Sequence, residues 1–600
     1  MNLKRLLRIV LPFLNMGSYF KWLALYTARR NRPFLFFEGK TYTYLEVYKE
    51  ACRYASLFMA VKEKQIDQGR LKKKDALSVG LYMDNSPAFL FAFFGAALSG
   101  TILFCINTGF RGKTLSAVIT QSKCGLMLVD THIAHQIDSI REELNQLRQE
   151  DILLVGENLE ELLIAADRQL RSACRFDQWQ PLIVIYTSGT TGLPKGVPCS
   201  HMKLIGSGLI TNSRIHLKKT DVGYICMPMF HSNAWFVGIM PLMRAGGSFV
   251  LKPRFSASAF ESDILENGVT YLNYVGQPIH YILAALEKKY GSPEKVEAAL
   301  AKHPQNHFRL AHGNGALPID RKKLKQYLDM EHVYELYGST EAAISTTNMP
   351  GDPIDSLGEV KSKKIVILDE NNQVCPYGIL DEKGNLTNYE AAVGEICKKI
   401  NKDNVIFDGY FNNTEADQKK FRDGYFHSGD LGHICLIDGK RYLYFDGRTD
   451  DWIRKDGENF SAENVLYYAS LLHGVALAAA YGAPCEVADE KVMVALQQKE
   501  GVSFDPQAAF DWFVMQQREG GMDPKWMPDF IRIVDSLPMT HQTQKILTRP
   551  LKKEHFNIER NPEMEIYFRQ RGDTTYHRLT ADKFSMIKKA FETTERVNLL

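Results

Sequence analysis

The sequence predicts a mainly α/β protein with parallel strand pairing. Two patterns carry that prediction. Short β-rich runs at 78–83, 125–129, 182–186, 224–227, 248–251 and 271–274 alternate with helical patterns. That alternation wraps helices around a parallel sheet. The second pattern is size and composition. The chain has 600 residues, 45% apolar and 24% charged, which excludes a disordered or collagen-like protein and corresponds to about four folding units as a soft prior.

At the N-terminus, residues 1–14 read MNLKRLLRIVLPFL. Leu3, Leu6, Leu7, Val10, Leu11 and Leu14 share one helical face, with Lys4, Arg5 and Arg8 off it. This is the pattern of an interfacial amphipathic helix, placing a membrane-contact segment at 1–20. A helix docked on the protein's own core has the same pattern, and both readings stay open. The run is too short to span a bilayer, and no clear small-residue cleavage site follows it. Residues 85–110 carry no charge, and 88–106 are almost wholly apolar. Length alone would allow a transmembrane helix. The texture instead predicts a helix to residue 98, a stop at Ser99-Gly100 and a buried strand over 101–106.

Further along, 361–400 shows shorter strands with Gly and Asn turns, predicting a small β-rich subdomain. Residues 446–455 are charged and turn-like, and a compact α/β stretch runs from 464 to about 556. A domain boundary falls near Arg448. Lys plus Arg is 73 against 70 Asp plus Glu, a balance that argues against a nucleic acid polymer as partner. The ten cysteines are scattered without a CxxC pair. No zinc site or disulfide framework is predicted, and a reducing, cytoplasmic setting fits.

The chemistry is concentrated at 182–197, LIVIYTSGTTGLPKGV. An apolar strand ending in Tyr186 runs into Thr187, Ser188, Gly189, Thr190, Thr191 and Gly192, and then Lys195. Glycines let the backbone approach a polyphosphate, N–H groups and hydroxyls donate to its oxygens, and lysine supplies charge. The spacing is not that of a Walker A loop, whose lysine directly follows its last glycine.

The segment YTSGTTGLPKG, residues 186–196, resembles the signature of adenylate-forming enzymes: acyl-CoA synthetases, luciferases and nonribosomal adenylation domains. Further motifs of that superfamily follow in its order. Residues 337–341 match YGxTE, 428–430 match (S/T)GD, 447–451 match GRxDD, and 543–547 resemble (T/S)GKIL. Other elements resemble the fatty acid transport protein and very-long-chain acyl-CoA synthetase family. These are Ile106-Asn107-Thr108 with Arg111-Gly112, Arg309-Leu310-Ala311 with Gly313-Asn314-Gly315, the stretch 457–465, and the tail around Ile566-Tyr567-Phe568, Tyr576 and Leu579-Thr580. The resemblance implies a large N-terminal adenylate-forming domain over 21–447, with two α/β sheet subdomains and a small β-rich one. It implies a smaller, mobile α+β C-terminal domain with a C-terminal extension over 448–600.

It also implies roles. The loop from Thr187 to Lys195 holds the β- and γ-phosphates of ATP. Glu341 ligates Mg²⁺ and Thr340 reaches the α-phosphate. Tyr337 and Gly338 lie near adenine, with Gly313, Asn314 and Gly315 lining the adenine and acyl pockets. Asp430 accepts from the ribose hydroxyls, and Arg448 offers a donor fork to ribose or phosphate. His231 gates the acyl or CoA tunnel beside Trp235 and Gly276. Asp450 is the hinge, where the closest branch often has glycine, and Gly457, Glu458 and Asn459 approach the CoA channel. Lys545 is the acylation lysine. One more position separates it from Thr540 than the family pattern has, Gln544 replaces the usual glycine or aromatic residue, and Lys552 and Lys553 are nearby alternatives.

The implied function is a long- or very-long-chain fatty acid:CoA ligase, an AMP-forming acid–thiol ligase using ATP, Mg²⁺ and CoA. Its partners are fatty acid and CoA, with peripheral contact at the cytoplasmic membrane face, and a homodimer is left open. The rival readings are a CoA ligase for a bile acid or carnitine-like carboxylate, an acyl-AMP ligase feeding a carrier protein, and a transport or binding protein with vestigial activity.

Overall fold

The structure is a computed structural model. It describes residues 15–600 except 166–175, 188–193, 383, 385, 401–406, 408, 449–451, 456–457, 487–489, 520–521, 541–543, 545, 571 and 595. The chain forms two compact units, one of 1–359 with 398–426, the other of 360–397 with 427–600. The amphipathic pattern of 1–14 lies outside the described residues.

The first unit holds two α/β sheets. In one, Ile152–Val155, Leu126–Asp130, Ser78–Tyr82, Ile102–Cys105 and Pro181–Thr187 pair in parallel, and Lys195–Ser200 closes the edge antiparallel. In the other, His332–Gly338, Leu310–Asn314, Tyr271–Val275, Val222–Ile225, Ser248–Leu251 and Pro33–Phe37 are parallel neighbours in that order. Antiparallel strands Ser345–Thr347 and Lys40–Thr43 flank them. All six β-rich runs of the sequence lie in these sheets. Their apolar runs follow from burial on both faces, which removes the alternation of a half-exposed strand.

The uncharged stretch 85–110 is core. Ser86 caps the helix Pro87–Ser99 by accepting from the Phe89 N–H, Pro87 sits in its first turn, and Gly100 ends it at φ +73°. That left-handed conformation is the usual glycine stop. The strand Ile102–Cys105 follows. Phe94 stacks on Phe20 at 3.6 Å and Phe93 on Trp235 at 4.1 Å, while Gly95 lies against Tyr54 of the helix Tyr44–Asp67. Among the described residues, no helix is long and apolar enough to cross a membrane.

The second unit begins with the expected β-rich element. Ile365–Leu368, Gly394–Lys399, Tyr425–Ile437 and Lys440–Arg448 form a sheet. A mixed sheet follows in the order Val475–Pro484, Glu490–Gln498, Phe530–Val534, Glu565–Phe568 and His577–Arg578. Helices Ala462–Ser470 and Pro506–Glu519 supply Val465 and Phe513 to a core shared with Val492, Val494 and Ile531. The tail residues 566–568 are a strand of this sheet, and the Tyr576 hydroxyl donates to the Pro528 carbonyl at 2.8 Å.

Candidate active site

The strand Pro181–Thr187 returns antiparallel as Lys195–Ser200, with Thr187 opposite Lys195. This pairing brings both ends of the Ser/Thr/Gly segment to one rim. Ser188, Gly189, Thr190, Thr191 and Gly192 lie outside the described residues. Tyr186 points away from the loop: its ring is in the core and its hydroxyl donates to the Val118 carbonyl at 3.2 Å. Lys195 holds its Nζ 5.6 Å from the Tyr410 ring centroid. Desolvation, then repulsion from Lys420 and Lys419, lowers its pKa. Three lysines brought together set up a positive potential suited to an anion.

Thr340 and Glu341 follow the strand His332–Gly338, which contains Tyr337. Lys203, buried on the helix His201–Ile215, donates to the Thr340 carbonyl at 2.7 Å. The Thr340 hydroxyl lies 2.9 Å from that of Ser232. Glu341 is buried, and its Oε1 accepts from the Tyr410 hydroxyl at 2.6 Å. Burial alone would raise this carboxyl. The Tyr410 bond and the Lys420 charge outweigh it and hold the group below its ordinary pKa. An ionised carboxylate kept in place is the hard oxygen donor that a divalent cation takes.

Behind these residues, the turn Gly313-Asn314-Gly315 is fixed from two sides. Glu335 accepts from the Gly315 N–H and from the Tyr274 hydroxyl, the latter at 2.7 Å. Burial pushes the Glu335 carboxyl up to about 7, against the lowering influence of Arg321 and these donors. Gly276 presses on the same turn, since an added Cβ would overlap the Gly315 carbonyl oxygen, and Gly315 itself sits at φ +78°. Two glycines are what so close a backbone approach requires.

His231 is half-buried, and desolvation pushes its imidazole down to about 4, so the ring is neutral near pH 7. Trp235, expected beside it in the acyl pocket, is fully buried in the core against Phe93 and donates from Nε1 to the Met229 carbonyl at 2.5 Å. Trp235 lies within a π-helical turn, Ala234–Ile239.

In the second unit, Asp430 and Arg448 are cross-strand partners, with Arg448 Nε 3.7 Å from Asp430 Oδ1. Glu395 shapes the approach to Asp430: Oε1 accepts from the Gly429 N–H at 2.8 Å and Oε2 lies 2.7 Å from His427 Nδ1. Glu458 and Asn459 are in a strand paired with Lys455 and Arg454. Asp450, Gly457 and Lys545 lie outside the described residues. Thr540 and Gln544 flank residues 541–543, which lie outside the described residues. The Gln544 N–H donates to the Thr540 carbonyl at 3.0 Å, and Gln544 takes φ +53°. Gln544 thus adopts a conformation that glycine would hold without strain.

Sequence reading missed Lys203, Ser232, Glu335 and Tyr410. Tyr410 lies 69 residues beyond Glu341, and no local pattern marks that pairing. The buried charge in the apolar-flanked helix at Lys203 was the one available signal.

Residues 24–411 match the model of the AMP-binding enzyme family. The chain is 33% identical to the medium/long-chain-fatty-acid–CoA ligase FadD17 of Mycobacterium marinum, over 79% of this chain and 85% of that one. It is 31% identical to the steroid-22-oyl-CoA synthetase of Rhodococcus jostii, over 88% and 91% respectively. With long-chain fatty acid transport protein 2 of Rattus norvegicus the identity is 28%, over 93% and 88%. In fold it is similar to the anthranilate CoA ligase AuaEII solved with anthranoyl-AMP. The TM-score there is 0.73 at 20% identity, covering 89% of this chain and 96% of that one.

Proposed function

The chain belongs to the AMP-binding enzyme family, and from that premise we propose that this AMP-forming acyl-CoA ligase takes long- or very-long-chain fatty acids. The observation that supports the reading best is the pair Thr340–Glu341, held by Lys203 from one side and Tyr410 from the other. Fatty-acid ligases and transport proteins among its relatives support the choice of acid.

In the first half-reaction the acid's carboxylate oxygen bonds to the α-phosphorus of ATP and pyrophosphate leaves. In the second, the CoA sulfur bonds to the acyl carbon and AMP leaves. Two anions must meet in the first step, so positioning and positive charge carry most of the rate enhancement. Thr187 to Lys195 bind the β- and γ-phosphates, and the Thr340 hydroxyl donates to the α-phosphate. Glu341 would hold Mg²⁺, which would supply positive charge beside the phosphate oxygens. Tyr337, Gly338 and the turn 313–315 seat adenine, while Asp430 and Arg448 take the ribose. His231, neutral, borders the carboxylate and Gly276 borders the acyl path. Lys545 contacts the reacting carboxylate and α-phosphate. A C-terminal domain from residue 448 turns about Asp450 between half-reactions and brings Gly457, Glu458 and Asn459 to the pantetheine arm. The amphipathic stretch 1–14 contacts the cytoplasmic membrane face, where such acids partition, while Met16 and Phe20, at the end of the expected 1–20 segment, are buried in the protein's own core.

Thioester formation dependent on ATP and CoA, measured over an acid series from acetate to lignocerate, tests the reading. A maximum at long or very long chains supports it. A maximum among short or aromatic acids rejects it.

A further inference from the structure

The sheet face linked to Thr340 through Ser232 carries a cluster of polar side chains. Parallel register pairs Asn273 with His312, and His312 with Tyr334. Directly paired residues point to the same side of a sheet, so these three share one face. Asn314, two residues beyond His312, is on it as well.

Asn233 crosses this face and links its members. Its Nδ2 donates to the Tyr274 carbonyl at 3.0 Å and to Asn314 Oδ1 at 3.3 Å, and its Oδ1 accepts from Asn273 Nδ2 at 2.7 Å. The preceding residue, Ser232, touches Thr340. A polar line therefore runs from the adenylating threonine through Ser232 and Asn233 to Asn273 and His312.

The far end of that line has unused hydrogen-bonding capacity. His312 is 1% exposed, and among the described residues neither ring nitrogen has a hydrogen-bond partner; Asn273 is fully buried, and among the same residues its Oδ1 has none. A buried polar atom left unsatisfied costs about 1–3 kcal/mol, so such a cluster points to a ligand that completes it. Burial, reinforced by Arg214, pushes the His312 imidazole down to about 3. The ring is neutral and offers one donor and one acceptor, which suits an uncharged oxygen rather than a carboxylate. The cover over this face is an irregular turn. Ala234–Ile239 is π-helical, the Tyr271 hydroxyl donates to the Val237 carbonyl at 2.7 Å, and Gly238 packs closely on Ile225 and Asn273, where an added Cβ would come within 2.6 Å of Ile225. Wide π turns recur at functional sites.

We infer that the acid activated by this chain carries a hydroxyl or ketone oxygen on its hydrocarbon part, and that His312 with Asn273 binds that oxygen. The inference rests on the acyl-CoA ligase reading and narrows its substrate class. It makes His312 a specificity residue, because a site built to bond a substrate hydroxyl discriminates against the analogue lacking it.

The experiment measures pyrophosphate release with hexadecanoic acid and with monohydroxy and monoketo hexadecanoic acids whose oxygen is moved along the chain. At least one oxygenated acid should exceed the parent in kcat/KM by on the order of tenfold. His312→Leu should cut that ratio by a similar factor, while His312→Gln retains most of it. Asn273→Leu gives the same reading should His312→Leu fail to fold. Equal use of parent and oxygenated acids, with the ratio unmoved in every variant, overturns the inference and assigns the site to an ordered water. The ligase reading survives that outcome. Absence of pyrophosphate release with every acid overturns both.

Discussion

The Tyr410 hydroxyl donates to Glu341 Oε1 at 2.6 Å, joining two residues 69 positions apart in a buried hydrogen bond. Glu341 is burdened by desolvation, and this bond is foremost among the influences that keep it ionised. Tyr410 also places its ring beneath Lys195. One side chain thus supports both the carboxylate assigned to the metal and the lysine assigned to phosphate.

Tyr410→Phe removes the donor and keeps the ring. The Glu341 carboxyl should rise, so activity should be lost at a higher pH on the acid limb than in wild type. The expected fall in kcat is about tenfold near neutral pH, with a raised Mg²⁺ requirement. A pH–rate profile of pyrophosphate release at several Mg²⁺ concentrations checks it. An unchanged acid limb would contradict the role given to Tyr410.

Gly276→Ala places a methyl group inside the Gly315 carbonyl. Overpacking of this kind costs about 2–3 kcal/mol. Because backbone cannot rotate away as a side chain can, the turn at 313–315 should shift. We expect a lowered melting midpoint and a raised KM for ATP in the same variant, read by thermal denaturation and initial rates.

His433 gives a pH dependence of stability. Burial opposes its charge, but the Asp446 carboxylate at 2.6 Å outweighs that and lifts the imidazole to about 9. A raised folded pKa means stability fully present below the unfolded value near 6.5 and lost as pH rises through about 9. Against His433→Gln, wild type should be more stable by on the order of 2 kcal/mol at pH 6. That margin should shrink toward pH 10. Paired melting curves across this range check the sign.

Lys545→Ala should separate the half-reactions. Pyrophosphate release is expected to fall by about 10²–10³-fold, with thioester formation from supplied acyl-adenylate largely retained. The same substitution at Lys552 or Lys553 should leave the first step near wild type. Should Lys552→Ala abolish adenylation instead, the residue beyond the Gln544 turn is not the acylation lysine.

The parts of this molecule legible in its sequence are those built by neighbours in the chain. The helix, stop and strand at 85–105 followed from apolar runs and one glycine, and the strand before the phosphate loop from four consecutive apolar residues. Thr340, Glu341, Asp430 and Arg448 could be nominated as site residues because each sits in a short motif. Trp235 is buried against Phe93, a surrounding that the sequence alone does not give, since an aromatic residue in a motif-like segment fits a pocket wall and a core equally well. Lys203, Glu335 and Tyr410 act on residues brought near by the fold, over separations that no periodicity records.

The stack of Phe93 on Trp235 also bears on how the chain is made. Among the residues that cover the helix Pro87–Ser99, Phe20, Phe34, Tyr42 and Tyr54 precede it in synthesis, while Trp235 follows Phe93 by roughly 140 residues. At ribosomal speeds that interval is on the order of ten seconds. Throughout it, one flank of the most apolar helix in the unit stands bare on the nascent chain. That window is where a holding chaperone would find this protein, and where slow translation between the two residues would cost yield.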